Sequence, residues 1–262
     1  MPWGNLPPDQ VIEQQTTSPD EARARADQGA LRVGIVSDSM GFDAGGAMFD
    51  AITRTHPVVY NNSIAGGRVD QHLDLALSAV QEPEGPDVLL VILGTAEAQW
   101  DPTAAEFEAD VRRFLDAVTP HVDCVRWFDT QHRDAHAWWQ SFNRNHRQFN
   151  AILSSVAAEY DRVEDVHYST WTELAPLEYF DDDLLHLNWE GRLAMAPLAV
   201  QAVVGCEEDT NVAGFWDVKE GHWADDAIAW TAEAGVAYGY PNHTYRAEVG
   251  AFALPVTRGQ IA

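Results

Sequence analysis

The stretch LRVGIVSDSMG, residues 31–41, decides the reading of this chain. An apolar, β-branched run over 31–36 stops at Ser37-Asp38-Ser39. Such a run reads as a buried strand of a parallel sheet, and the polar stop reads as a turn into a helix. Open α/β sheets hold their ligands at the carboxyl ends of their strands, so Ser39 falls where such folds put their sites. At the first turn of a helix, N–H groups without intrahelical partners favour developing negative charge. A serine there is well placed to attack an acyl carbon. The same residue types also make good helix caps, and this stretch alone does not choose between the two roles.

Similar strands recur at PVVYN (57–61), DVLLVIL (87–93), CVRWF (124–128) and 163–168. Helical periodicity fills 42–55, 69–80, 103–118, 143–161 and 189–204 between and after them. Five strands alternating with helices predict an α/β fold of three layers, flavodoxin-like, with a five-stranded parallel sheet. Residues 1–17 read as a flexible lead, and Ser18-Pro19-Asp20-Glu21 starts a short helix that ends at Gly29.

A second stretch bears on Ser39. It is Asp181-Asp182-Asp183-Leu184-Leu185-His186-Leu187-Asn188-Trp189-Glu190-Gly191. An Asp three residues before a His, on a loop ahead of a helix, can orient the imidazole, and the His can then serve a serine as general base. Together the two stretches resemble the SGNH (GDSL-type) hydrolase family. Its Gly-Asp-Ser block matches Ser37-Asp38-Ser39 with the glycine replaced, and its Asp-x-x-His block, followed by Leu-Asn and a Gly, matches 183–191 closely.

The resemblance implies a serine esterase needing no metal or organic cofactor. Ser39 would be the nucleophile, His186 the general base and acid, and Asp183 the residue that orients it. The family's second block supplies a glycine N–H to the oxyanion. Gly66, in Asn62-Ser63-Ile64-Ala65-Gly66-Gly67, is the best match, so the N–H groups of Ser39 and Gly66 would form the oxyanion hole. The third block, Gly-x-Asn-Asp, is departed from at Gly94-Thr95-Ala96-Glu97: Ala96 stands where the asparagine amide would be a further donor. Losing such a donor typically costs about 100- to 1,000-fold in rate. Thr95, Gln99 and Asn62 are possible substitutes.

Glu97, at the aspartate position, is a candidate substrate contact, as are Trp138 and Trp139 in DTQHRDAHAWWQSF (129–142), which topology puts at the same sheet edge. The tryptophans suit a wall that stacks on a sugar and equally suit ordinary packing. His132 and His136 are four apart, as zinc ligands can be, but no glutamate follows the first and no third ligand is evident, so no metal is expected.

The chain has 262 residues and a net charge of −25, and Lys219 is its one lysine. That charge argues against nucleic acid and against an anionic membrane surface. The acidic, lysine-poor balance fits work in high salt and equally fits codon bias. No apolar run is long enough to span a membrane, and the N-terminus lacks the basic and apolar regions of a signal peptide. Cys124 and Cys206 permit at most one disulfide, which their spacing does not decide.

After Cys206 the composition changes. The segments FWDV (215–218), GHWA (221–224), AIAW (227–230), GYPNHTYR (239–246) and VTRGQIA (256–262) resemble an S-layer homology module, expected to be all-α. That resemblance implies a cell-wall polysaccharide partner and an extracellular or cell-envelope location. It makes Arg258 the candidate polymer contact and Trp223 a core residue. Such modules usually come in threes, the segment between Arg246 and Thr257 departs from the pattern, and the last expected helix stops at Ala262. A fragment or one repeat of a longer protein would fit this, and so would a small helical appendage.

The expected division is therefore a linker and leading helix over 1–30, a hydrolase-like domain over 31–206 and the module over 207–262. The expected reaction removes a small acyl group, acetyl, from a glycan or other small ester. An acyltransferase passing that group to a sugar hydroxyl, and an inactive hydrolase-like wall-binding protein, are the alternatives.

Overall fold

The computed structural model describes residues 12–13, 15–100, 102–131, 140–207, 211–213, 215–219, 221 and 223–236. The first strand of the parallel sheet, β2 (Val33–Ser37), is buried at every position, as is β4 (Val88–Ile92). Burial on both faces is what an unbroken apolar strand requires, and it puts these two at the centre. With β3 (Val58–Ser63), β5 (Cys124–Trp127) and β6 (Val163–Asp165) they form a parallel sheet in the order β3-β2-β4-β5-β6. The order turns back between β2 and β4, which opens a crevice there at the carboxyl edge.

Helices cover both faces. On one, α2 (Ser39–Ile52) packs along α8 (Trp189–Val204), burying Met40, Met48 and Ile52 with Met195, Leu198 and Ala199. On the other lie α3 (Val69–Val80), α5 (Ala104–Val118) and α6 (Gln140–Ala157), where Phe107 stacks on Phe149 with ring centroids 4.3 Å apart. The α5 helix starts at a capping box in which Thr103 and Glu106 satisfy each other's backbone N–H groups. Shorter helices complete the layer structure: α1 (Pro19–Ala26), α4 (Thr95–Trp100) and α7 (Tyr168–Leu174).

Three features differ from the sequence reading or complete it. The lead is not all linker: Ile12–Glu13 forms β1, paired antiparallel with Ser63 and Asn62 of β3. That pairing covers the otherwise open edge of the sheet. Cys124 and Cys206 are joined as a disulfide, tying β5 to the chain just past α8. The C-terminal module is not all-α. Asn211–Val212 (β7) and Phe215–Lys219 (β8) form a hairpin ahead of α9 (Asp225–Glu233), and Phe215, Val218 and Ile228 make a small core of their own. The aromatic and β-branched FWDV run favours a strand, and Ala213, at φ 54°, makes the turn before it. Among the described residues no helix is long and apolar enough to cross a membrane.

Candidate active site

Three polar side chains leave the end of β2, and each goes to a different partner. The Ser37 and Ser63 hydroxyls are hydrogen-bonded to each other, joining β2 to β3. Asp38 is the N-cap of α2: its Oδ1 accepts from Met40 N–H at 2.9 Å, and its Oδ2 accepts from Thr95 N–H, past the end of β4, at 3.2 Å. Asp38 thus bridges the crevice between β2 and β4. Burial pushes its carboxyl up to about 6, against the pull of those N–H bonds. Ser39 is the first residue of α2 and is partly exposed. The following turn lies close on the strand: a Cβ at Gly41 would sit 2.3 Å from that of Ser37.

The loop before α8 comes to meet Ser39. His186 Nε2 lies 3.1 Å from Ser39 Oγ, and His186 Nδ1 lies 2.6 Å from Asp183 Oδ2. Asp183 Oδ1 also accepts the N–H groups of Leu185 and His186, both at 2.9 Å. Burial opposes ionisation of Asp183, yet the bonds from the His186 ring and from those two amides hold its carboxyl below the usual range. With Nδ1–H donated to Asp183, the Nε2 lone pair faces the serine hydroxyl. Asp181 and Asp182 do not take this place; Asp181 accepts Leu184 N–H through its carbonyl and closes the turn.

The third edge of the site is the loop after β3. Ile64 N–H donates to Ser37 O at 2.9 Å, which keeps this loop beside the Ser39 turn. Gly66 has φ +70° with open space where a Cβ would be, so it suits a backbone exposed to a ligand. Ala96 is 3% exposed and Asn62 is 6% exposed, with Asn62 Oδ1 lacking a partner among the described residues. Glu97 is 2% exposed, and its Oε1 accepts Val69 N–H at the head of α3. It therefore braces the loop after Gly66-Gly67 from beneath. Burial, the largest cause, and the Asp38 charge push its carboxyl up to about 7. Trp138 and Trp139, His132 and His136, and Arg258 lie outside the described residues.

Two residues that sequence reasoning passed over stand behind the site. Asp38 was visible as a cap and as the middle of the Gly-Asp-Ser block, but its reach to Thr95 was not. Gln131, 4% exposed, donates from Nε2 to the carbonyls of Leu184 and Leu185. Nothing in the sequence signals a link from Gln131 to a loop more than fifty residues away. Asp129, Asp165 and His167 bring possible ligand atoms within 4.8 Å of one another. They are engaged with protein already: Asp129 accepts from Ser169 N–H and Oγ, and Asp165 accepts from His167 N–H and faces its Nδ1 at 3.2 Å.

A model of the GDSL-like lipase/acylhydrolase family matches residues 37–194, from the end of β2 into α8. The chain belongs to the GDSL-like lipase/acylhydrolase family. It is by that membership an ester hydrolase, and an S-layer homology domain model matches residues 214–249 after the acylhydrolase part. Among solved structures it is similar to the lipase/acylhydrolase of Enterococcus faecalis, at 15% identity over 66% of this chain and 95% of that one, with a TM-score of 0.55. The catalytic domain of a Streptococcus pneumoniae peptidoglycan O-acetyltransferase, carrying a methylsulfonyl adduct, is 12% identical over 69% and 94%, with a TM-score of 0.53. An acetylxylan esterase of Geobacillus stearothermophilus is 14% identical over 66% and 94%, with a TM-score of 0.52. At such identities these likenesses show a shared acylhydrolase fold. Among curated proteins no match is found.

Proposed function

We propose that Ser39, His186 and Asp183 act as a Ser-His-Asp triad that removes a small acyl group, acetyl, from a cell-envelope or extracellular glycan. The hydrogen-bonded line from Ser39 Oγ through His186 to Asp183, at 3.1 and 2.6 Å, is the observation that carries this reading. Ser39 Oγ bonds to the acyl carbon as its proton passes to His186 Nε2. The oxyanion is held by the N–H groups of Ser39 and Gly66. His186 then protonates the departing sugar oxygen as the carbon–oxygen bond breaks. Water repeats the sequence on the acyl-serine, giving up its proton to His186, and releases acetate and free Ser39. Asp183 keeps the imidazole in the right tautomer and stabilises its charge throughout.

The glycan is supported by the company the fold keeps and by the C-terminal module. The acetylxylan esterase and the peptidoglycan O-acetyltransferase named above both handle acyl groups on polysaccharides by their names. In this reading residues 1–30 lead in, 31–206 carry the chemistry, and 207–262 hold a cell-wall polysaccharide, with Arg258 as a contact. A Cys124–Cys206 disulfide also fits an oxidising, extracellular setting. Trp138 and Trp139 are proposed to stack on the sugar. Glu97 acts on the substrate only through the Gly66 loop it braces.

The O-acetyltransferase likeness favours one further reading, in which a sugar hydroxyl replaces water in the second half-reaction. Acetate release from acetylated xylo-oligosaccharide tests the main reading. The full chain should release acetate, and Ser39→Ala should lower the rate by about 1,000-fold or more while the fold is kept. Acetate that appears only on an added sugar acceptor would favour transfer. An undiminished rate in Ser39→Ala would remove Ser39 from the chemistry.

A further inference from the structure

The chain leaves β5 through Asp129-Thr130-Gln131, and these consecutive side chains reach three different elements. Asp129 holds Ser169 in α7, with its Oδ1 2.6 Å from the backbone nitrogen. Thr130 donates its N–H and hydroxyl to Asn150 Oδ1 of α6 at 2.9 and 2.8 Å, and Asn150 Nδ2 donates back to Thr130 O at 2.6 Å. The backbone entering Gln131 is therefore fixed. From there Gln131 Nε2 donates to Leu184 O at 2.8 Å and to Leu185 O at 3.1 Å.

Those two carbonyls belong to the peptide units 184–185 and 185–186. The N–H groups of the same two units are the ones that donate to Asp183 Oδ1. A trans peptide points its C=O and N–H in opposite directions. Gln131 and Asp183 thus grip the same two peptide planes from opposite ends. Each line, from Gln131 N–H through a peptide to the Asp183 carboxylate, is a chain of dipoles that strengthen one another. The grip also holds Leu184 at φ +53°, a conformation a leucine does not take unaided. Gln131 Oε1 is buried and has no partner among the described residues. An apolar side chain of the same shape would be easier to bury, so it is the donor end of this amide that the site uses.

We propose that Gln131 is a positioning residue for the catalytic base. It fixes the two peptides that hold Asp183, and through Asp183 it fixes the line of His186 on Ser39. The inference rests on the triad reading above. Without the amide, Leu184 can relax, Asp183 Oδ1 loses its two donors, and His186 Nε2 drifts from the serine hydroxyl.

The test uses the full chain with Gln131→Met and Gln131→Glu, assayed on p-nitrophenyl acetate and counted by active-site titration. In Gln131→Met, kcat per titrated site should fall by about 10- to 100-fold, with KM changed by less than about twofold. In Gln131→Glu, a carboxyl donates one hydrogen when protonated and none when ionised. Its rate relative to the parent should therefore drop further as pH rises from about 5 to about 8. A merely structural role would lower the number of titrated sites and leave kcat per site and its pH dependence alone. Full kcat per site in Gln131→Met overturns the proposal. Should that variant fail to fold, a flat pH ratio in Gln131→Glu overturns it instead. Ser39→Ala separates the two claims: if that variant still turns over, the triad reading falls, whereas a dead Ser39→Ala beside a fully active Gln131→Met sinks this inference alone.

Discussion

Ser37, Asp38 and Ser39 sit side by side, yet they hold a neighbouring strand, a helix end and an imidazole respectively. The capping role that these residue types suggest belongs to Asp38, while Ser39 is left with its hydroxyl toward His186. By the sequence resemblance an asparagine amide is expected where Ala96 stands, and Ala96 is buried. Ala96→Asn should raise kcat on p-nitrophenyl acetate by at least about 10-fold, because one added oxyanion donor is typically worth more than that. A fall would show that the site draws its further donor from elsewhere, and Thr95 is already committed to Asp38 through its N–H. The pairing of Asp183 with His186 was legible in the sequence because an Asp-x-x-His spacing on a loop is a local pattern. The contacts of Gln131 were not, because its partners are set by how β5 and the loop before α8 meet.

At the scale of elements, the five parallel strands and their main helices follow from apolar runs and helical periodicity, which are local signals. What escaped was marginal by the same measure. β1 is two residues long, α4 is six, and in the β7–β8 hairpin one strand has two residues while the other packs Phe215 and Val218 on Ile228 of α9. The join between α8 and the segment before it is tight: a Cβ at Gly191 would lie 2.1 Å from Tyr179 O. The carbonyl is backbone and cannot swing aside. Gly191→Ala should therefore lower unfolding stability by about 1–3 kcal/mol, measured by denaturant titration, since overpacking forces the backbone apart. An unchanged midpoint would mean that the start of α8 is looser than this packing requires.

Over the whole molecule, buried acids set the response to pH. The Glu97 carboxyl is pushed up to about 7 chiefly by burial, and that of Asp129 is raised by burial and by the Asp165 charge. Their folded pKa values lie above their unfolded ones, so the stability they contribute is complete below about pH 4 and is lost as pH rises through the folded values. His72 acts in the opposite sense. Burial lowers it to about 4, and its contribution is complete above about pH 6.5. Above that point the carboxyls still change and the histidine does not. The net charge of −25 adds self-repulsion in the same direction. Tm measured by calorimetry at fixed salt should therefore fall between about pH 6.5 and about pH 8.5. A rise across that window would contradict the burial of Glu97 and Asp129.

The proposed chemistry requires Ser39 to be an activated nucleophile. The most direct measurement is to treat the full chain with a fluorophosphonate and to locate the adduct by mass spectrometry, since such a probe needs the nucleophile, its base and the oxyanion donors but no particular substrate. A single adduct on Ser39 is expected, and it should disappear in His186→Ala. A folded chain that takes no label, or takes it on another residue, would contradict it.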